Sequence, residues 1–431
     1  MGDEPVAVVL PSEQLLESID DPSLRLLIED VLRRNPRLAR VRAEAAAVER
    51  RAPQVKALPD PMAGLTIFLL EPQTRVGPQQ AAVSLSQKFP WFGKLRLREQ
   101  AELFNAAAAQ ARTESMRLEL ITEVRRLYYE LAFLEDQDRI VREDRATLEH
   151  YELLAQARYA SGVGLGQSVI KIQAEITRAD TRLLDIAIRR SNLVASTNTL
   201  RDRPDPTAIS VGKLADISVR TLKGVESFEI DFDVLRRNAI ERRPELIEAD
   251  ARIESAATRI DLAKKDYSPD VTLGLNYGFV GRRTDGPGQV NPPPDNGDDI
   301  LGLIGAVNIP IWREKLRAGV EEAVERRISA EEMRRSVIAD IDGALGDLMA
   351  RISLLYDQIG LYDDVLVVQA EQSLLSAEAA YAAGSLDSLD LLDAERVLLN
   401  VRIAAERVRA DHAIAVAKLE GEIAAPLTAV Q

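Results

Sequence analysis

The sequence predicts a mainly α protein with a small β part, built from one helix–strand–strand–long helical hairpin unit written twice. Three observations carry this. Proline is absent from Trp91 to Arg203 and again from Ile311 to Ala425, although the chain holds 20 prolines. Ahead of each proline-free stretch lie two short runs whose apolar residues recur at every second position, the period of a strand. Landmarks of the first half also return in the second half in the same order.

The first repeat spans 1–203. Asn35-Pro36-Arg37-Leu38 opens a helix, and strands are expected at about 62–70 and 81–89, the second with Val83 and Leu85 alternating with Ser84, Ser86 and Lys88. A helical hairpin follows at about 94–200. Its composition favours helix, and Leu118, Ile121, Val124, Tyr128, Leu131 and Leu134 lay an apolar stripe along one face. The glycine-rich run 161–166 breaks it into two antiparallel helices. Segment 204–230 has little period of its own and reads as a linker.

The second repeat, 231–431, matches element by element. Arg243-Pro244-Glu245-Leu246 answers the Asn35 motif, Pro269-Asp270 answers Pro59-Asp60, and Ile309-Pro310 answers Phe89-Pro90. Strands are expected at about 271–280 and 300–310, the first with Val271, Leu273, Leu275, Tyr277 and Phe279 on one face. A hairpin at about 315–423 turns at 382–385, with Leu386, Leu389, Leu392, Leu399 and Ile403 as its stripe. A single helix from Lys315 to Ala383 would reach on the order of 100 Å at ~1.5 Å per residue.

Composition narrows function. The formal charge is −14 in 431 residues, which speaks against nucleic acid as a partner. Cysteine is absent, so thiolate zinc sites, iron–sulfur clusters, disulfides, thiol nucleophiles and a lipid-modified N-terminal cysteine all lack their residue. His150 and His412 are far apart in sequence, no acidic pair stands out as acid and base, and no glycine-rich phosphate loop joins a strand to a helix. The expectation is no enzyme, no metal and no cofactor. The longest uncharged run, Ile300–Trp312, is 13 residues, short of the ~20 a spanning helix needs. Met1-Gly2-Asp3-Glu4 carries no secretory signal, and Val6 stands where myristoylation needs Ser or Thr. The protein is therefore expected to be cytoplasmic, or to have had a signal cleaved or replaced.

Each strand is about the ~10 residues of a tilted membrane strand, and Trp91 and Trp312 lie just past the second and fourth, where an interfacial aromatic girdle belongs. Four strands leave two edges open. Contact with lipid would make closure compulsory, and symmetric association of several copies would close both the sheet and the apolar helix stripes. A soluble sheet packed on the bundle is the other reading of the same runs.

The chain resembles the TolC-like outer-membrane efflux proteins from about Leu24 to Ile423. The motifs carrying the resemblance are Leu58-Pro59-Asp60-Pro61, Ser86-Gln87-Lys88-Phe89-Pro90-Trp91-Phe92-Gly93-Lys94-Leu95, and Tyr381-Ala382-Ala383-Gly384 followed by Asp390-Leu391-Leu392-Asp393-Ala394. The resemblance implies a homotrimer with a 12-stranded transmembrane barrel continuous with a periplasmic α-helical coiled-coil barrel, in the bacterial outer membrane. It implies passive conduction of solutes delivered by an inner-membrane efflux pump and a periplasmic adaptor. Pro90-Trp91-Phe92-Gly93-Lys94 and the run from Gln167 through Lys171-Ile172-Gln173-Ala174-Glu175 look like members that accompany heavy-metal pumps. The alternative is a soluble or peripheral coiled-coil scaffold of a secretion machine, which leaves the duplicated strands without a purpose.

Asp387, Asp390 and Asp393 share one face of the helix after Gly384. Acids near a helix start also serve the helix dipole simply by being there. The resemblance puts acidic rings of the tunnel constriction at Asp390 and Asp393. It also makes the turns Ser161-Gly162-Val163 and Ala383-Gly384-Ser385 the tip where an adaptor docks. The chain departs from the family in the first half, where Ile170 and Gln173 are uncharged, and at Leu386, where some members carry a basic locking residue.

Overall fold

The computed structural model describes residues 10–204, 207–212 and 231–429. The Met1–Val6 reading and most of the 204–230 linker fall outside them. In chain order the helices are α1 (Pro11–Glu17), α2 (Pro22–Arg34), α3 (Pro36–Glu49), α4 (Arg51–Lys56), α5 (Lys94–Ala160), α6 (Gly166–Leu200), α7 (Phe232–Arg242), α8 (Pro244–Lys265), α9 (Gly286–Val290), α10 (Arg313–Leu361), α11 (Val367–Ala382) and α12 (Ser388–Ile423). The strands are β1 (Met62–Ile67), β2 (Gln79–Phe89), β3 (Val271–Val280) and β4 (Ile300–Val307). Pro11, Pro22, Pro36 and Pro244 each occupy the first position of their helix, where the missing N–H costs nothing. Asp21 and Asp231 cap α2 and α7 by accepting first-turn N–H groups.

Two units share the chain. One takes Met1–Arg42, Ala111–Ile247 and Ser336–Gln431; the other takes Ala43–Gln110 and Glu248–Arg335. Each unit thus draws on both halves of the sequence repeat, so compactness divides the chain along a different line from the duplication.

The first unit is helical. The stripe Leu118, Ile121, Val124, Tyr128, Leu131 and Leu134 is buried along its whole length, each residue at 4% exposure or less. At roughly 1.5–3 kcal/mol per buried large apolar side chain, this face rather than helix propensity holds α5 together. The Tyr128 hydroxyl donates to Asp21 Oδ2 at 2.8 Å and accepts the Gly212 N–H at 2.7 Å. The stripe expected at the start of α12 is rotated: Leu389 is 49% exposed, and Ser388, Leu391, Glu395 and Leu398 form the buried face instead. The long helix expected from Lys315 to Ala383 runs as continuous helical backbone from Arg313 to Ala382, with one π turn at Tyr362–Leu366 between α10 and α11.

The second unit carries an antiparallel sheet in the order β1-β2-β3-β4. β1 ends at Ile67 rather than Leu70. Its partner β2 cannot continue beyond Gln79, because Pro78 has no N–H and Gly77 has φ 136°. β4 ends at Val307 rather than 310, with Asn308 donating its N–H to the Asp270 carbonyl at 3.2 Å and Pro310 unable to donate. One face of the sheet is apolar and open: Leu65, Ile67, Val83, Leu85, Leu273, Leu275, Tyr277 and Leu303 are all exposed. Below β2 and β3, the buried Lys94 ammonium reaches Asp270 at 2.9 Å, Lys88 reaches it at 3.1 Å, and the Trp91 N–H donates to it at 3.0 Å. The Pro-Trp-Phe-Gly-Lys motif thereby ties the ends of both inner strands.

Candidate functional site

α5 and α11 end in the same local geometry, because each is followed by a glycine in the left-handed region. Gly162 and Gly384 both have φ 77°. After α5, the Gly162 N–H bonds Tyr159 O at 3.0 Å and the Val163 N–H bonds Arg158 O at 3.1 Å. After α11, the Gly384 N–H bonds Tyr381 O at 3.0 Å and the Ser385 N–H bonds Ala380 O at 2.9 Å. Both are Schellman caps, in which glycine alone escapes the Cβ penalty. Ser161, Gly162, Val163, Ala383, Gly384 and Ser385 are all exposed, Val163 at 72%.

Behind the tips the two hairpins are joined by polar contacts. Arg158 donates to the Tyr381 carbonyl and lies 4.7 Å over the Tyr381 ring. The Tyr151 hydroxyl donates to Glu378, and Ser388 Oγ meets Ser168 Oγ at 2.9 Å. Leu148, Ala155, Ile172, Leu374, Leu391 and Leu398 pack between these contacts. None of these cross-links was anticipated. The one trace was that Arg158 falls opposite Ala380 when the tips are matched, so the repeat is broken at that position.

The three aspartates divide by role. Asp387 is the N-cap of α12: it accepts from Ser388 Oγ at 3.0 Å and from the Leu389 N–H, and the Ser388 bond foremost holds its carboxyl below the usual range. Asp393 is exposed and paired with Arg396 one turn on. Asp390 is exposed on the first turn. Gln173, the first-half counterpart of Asp393, donates to Glu152 at 2.7 Å, and Ile170, the counterpart of Asp390, is 67% exposed.

Deeper along the same helices, Asp144 of α5 and Glu395 of α12 face each other at hydrogen-bonding range, at 7% and 6% exposure. Asp144 Oδ2 and Glu395 Oε2 have no donor among the described residues. Burial, and then the neighbouring Asp144, push the Glu395 carboxyl up to about 8, and burial raises Asp144 as well. One shared proton satisfies both groups. They line a cavity of about 180 Å³ with Glu143, Thr147, Glu378 and Arg402. No group of three metal-ligating side chains that could hold an ion occurs among the described residues. His412 is fully buried with neither ring nitrogen partnered among the described residues, and burial pushes its imidazole down to about 4. His150 lies on an exposed helix face.

Trp91 is half-buried and meets Phe92 edge-on at 5.8 Å, whereas Trp312 is 73% exposed. Among the described residues no helix is long and apolar enough to cross a membrane.

The profile of the outer membrane efflux protein family matches residues 27–201 and 235–423. The probable outer membrane lipoprotein SilC of Salmonella typhimurium is 22% identical over 400 residues, which are 88% of this chain and 80% of that one. The pyoverdine export outer membrane protein OpmQ of Pseudomonas putida is 26% identical over 420 residues, 91% of this chain and 83% of that one. The crystal structure of the outer membrane protein VceC from Vibrio cholerae shares the fold, with a TM-score of 0.74 at 20% identity, covering 97% of this chain and 99% of its own.

Proposed function

This chain belongs to the outer membrane efflux protein family, a family of channels and not of enzymes, and from that premise we propose that three copies form a closed 12-stranded barrel in the outer membrane, continuous with a periplasmic helical tunnel. The channel conducts passively what an inner-membrane pump and a periplasmic adaptor deliver to it. The observation that carries this reading is the sheet: among the described residues it has four strands, both edges unpaired, and an open apolar face. In hydrocarbon an unpaired edge costs several kcal/mol per backbone group, so lipid contact requires closure by other copies. A soluble tether would leave Leu301 at 70% and Leu303 at 88% exposure facing water beside a bare edge. Trp91 and Trp312 then belong to the interfacial girdle.

The hairpin tips face the periplasm and carry the adaptor-docking surface on Ser161–Val163 and Ala383–Ser385. Three copies of Asp390 and Asp393 make an acidic collar that favours cations at the tunnel's narrow end, Asp390 foremost because Asp393 already holds Arg396. Asp387 supports the collar by capping the helix that bears it.

Membrane fractionation and gel filtration in detergent test the reading. The expected species is an outer-membrane, heat-modifiable trimer that only detergent extracts. A monodisperse monomer in plain buffer, with full helix and strand content, would refute it.

A further inference from the structure

Ala174-Glu175 of α6 and Ala394-Glu395 of α12 occupy the same place in the repeat. Asp144 of α5 feels both carboxylates, Glu175 within its own hairpin and Glu395 across the seam between the two hairpins. The two glutamates are answered differently. Glu175 is paired with Arg178 one turn on. Glu395 Oε2 has no partner among the described residues, and Arg402, two turns on, is taken by Glu371 at 2.8 Å. Asp144 and Glu395 are each more than nine-tenths buried and lie at hydrogen-bonding range. Two carboxylates so placed hold together while they share a proton, since both cannot ionise side by side away from water.

The pair sits where the hairpins meet. Leu148, Ile172, Leu374, Leu391 and Leu398 pack along the same seam, and toward the tips Ser168 meets Ser388 and Arg158 lies over Tyr381. The cavity of about 180 Å³ beside the two acids has room for a few water molecules at ~30 Å³ each, so water reaches the carboxylates as soon as the helices part.

Resting for its consequence on the channel reading above, we propose that the Asp144–Glu395 pair is a proton-held latch between the two hairpins, whose one proton, once lost to water, lets α5 part from α12 and the narrow end of the tunnel widen. Both tips border that end, so widening it moves one hairpin against the other across this seam.

Burial, and then Asp144, raise the Glu395 carboxyl from 4.5 to about 8 while the hairpins are closed. Once parted, the carboxyl meets water and returns toward its ordinary value. The latch is therefore at full strength below about pH 4.5 and is lost as pH climbs through about 8. Between pH 6 and pH 8 the opening equilibrium rises by up to about tenfold per unit. The charged and titratable groups facing the pair are Glu143 and Tyr151 of α5, Glu175 and Arg182 of α6, Glu378 of α11 and Arg402 of α12. Three carboxylates against two guanidiniums leave no spare positive charge to hold a second ionised acid in place.

Cysteine is absent from the chain, so two spin labels report without background. Ala157→Cys and Ala379→Cys place nitroxides on exposed, repeat-equivalent positions of α5 and α11 behind the tips. Labelled chain is diluted into unlabelled chain so that single copies report. Dipolar spectroscopy should give one narrow distance at pH 6 and a longer component at pH 8.5 that disappears on return to pH 6. Glu395→Gln should show far less of the longer component, and Glu395→Gln with Asp144→Asn none, because amides hydrogen-bond to one another without ionising. In planar bilayers the wild-type open probability should climb by up to about a hundredfold from pH 6 to pH 8, and the double amide variant should stay flat. His150→Gln, an exposed neighbour on α5, should keep the climb. A distance that ignores pH in wild type, a change that persists in the double amide variant, or one that vanishes in His150→Gln overturns the latch and leaves the channel standing. A distance change with an unaltered open probability overturns the widening. A distance change in a protein that forms no pore at any pH supports the latch and overturns the channel reading.

Discussion

Replacing Glu395 by Gln isolates what the buried acid pair does. Glu395 meets Asp144 in a site lined by Glu143 of α5, Glu378 of α11 and Arg402 of α12, with Tyr151 of α5 feeling both acids and Glu175 and Arg182 of α6 acting on Asp144. With the Glu395 carboxyl raised from 4.5 to about 8, the native state holds its proton more tightly than the unfolded chain does. The stabilisation is therefore complete below about pH 4.5 and is lost as pH climbs through about 8. Over that range each pH unit removes up to about 1.4 kcal/mol, so opening of α5 against α12 becomes up to about 2–3 kcal/mol easier between pH 6 and pH 8. Hydrogen exchange read by mass spectrometry on peptides containing residues 144 and 395, corrected for the intrinsic rate, should lose up to about a hundredfold in protection across those two units. Gln keeps the shape, stays neutral and can donate to Asp144, so the variant should show a much flatter profile and greater protection than wild type at pH 8. Equal pH dependence in both proteins, or protection that rises with pH in wild type, would refute the shared proton.

Three further outcomes follow from the tip geometry. The Asp390→Ala, Asp393→Ala double variant should raise basal conductance in planar bilayers and lower cation preference; unchanged selectivity from intact trimers returns both residues to solvated helix-start acids. Val163→Glu with Ser385→Glu should leave trimers in the outer membrane while abolishing export and adaptor crosslinking, because an unpaired carboxylate is costly to bury against a docking partner. Gly162→Ala and Gly384→Ala should each cost about 1–2 kcal/mol through their positive φ, read as similar losses of thermal stability, because a Cβ meets open space at Gly162 and only ordinary contact with Arg158 Nη2 at Gly384.

What could be read in advance was whatever depends on local covalent rules. Proline placement and the glycines gave the ends of α5 and the tip turns, since an absent N–H or Cβ acts without reference to the rest of the fold. The stripe from Leu118 to Leu134 was legible because burial on one helix face has a period. The start of α12 was not: Leu389 and Leu391 are equally apolar, and only the facing helices decide which is covered. The π turn was invisible because nothing in Tyr362-Asp363-Asp364-Val365-Leu366 forbids an α-helix; Asp363 there meets Arg409 of α12, a partner 46 residues away. Asp144 and Glu395 look like any other surface acids in a chain with 69 of them, and their burial is a property of the packing. Among the site residues, Asp387 reads in sequence as a third pore acid, and its hydrogen bonds as the cap of α12 add a role that its spacing alone did not single out.

The strand order also dictates when the sheet can form. β1 meets β2, and β3 meets β4, across short connections, but β2 must find β3 across the whole first helical hairpin, from Phe89 to Val271. Closing that longer loop costs about 2 kcal/mol more than closing the turn between Val280 and Ile300, since each doubling of loop length adds only about 0.6 kcal/mol. The two hairpins are therefore cheap, early structures, and their union is the slow, late event. A ribosome must release residues well beyond β3 before it can occur, and until then the apolar faces of both hairpins stand open. The interval between synthesis and membrane entry is thus when this chain most needs a chaperone that masks strands.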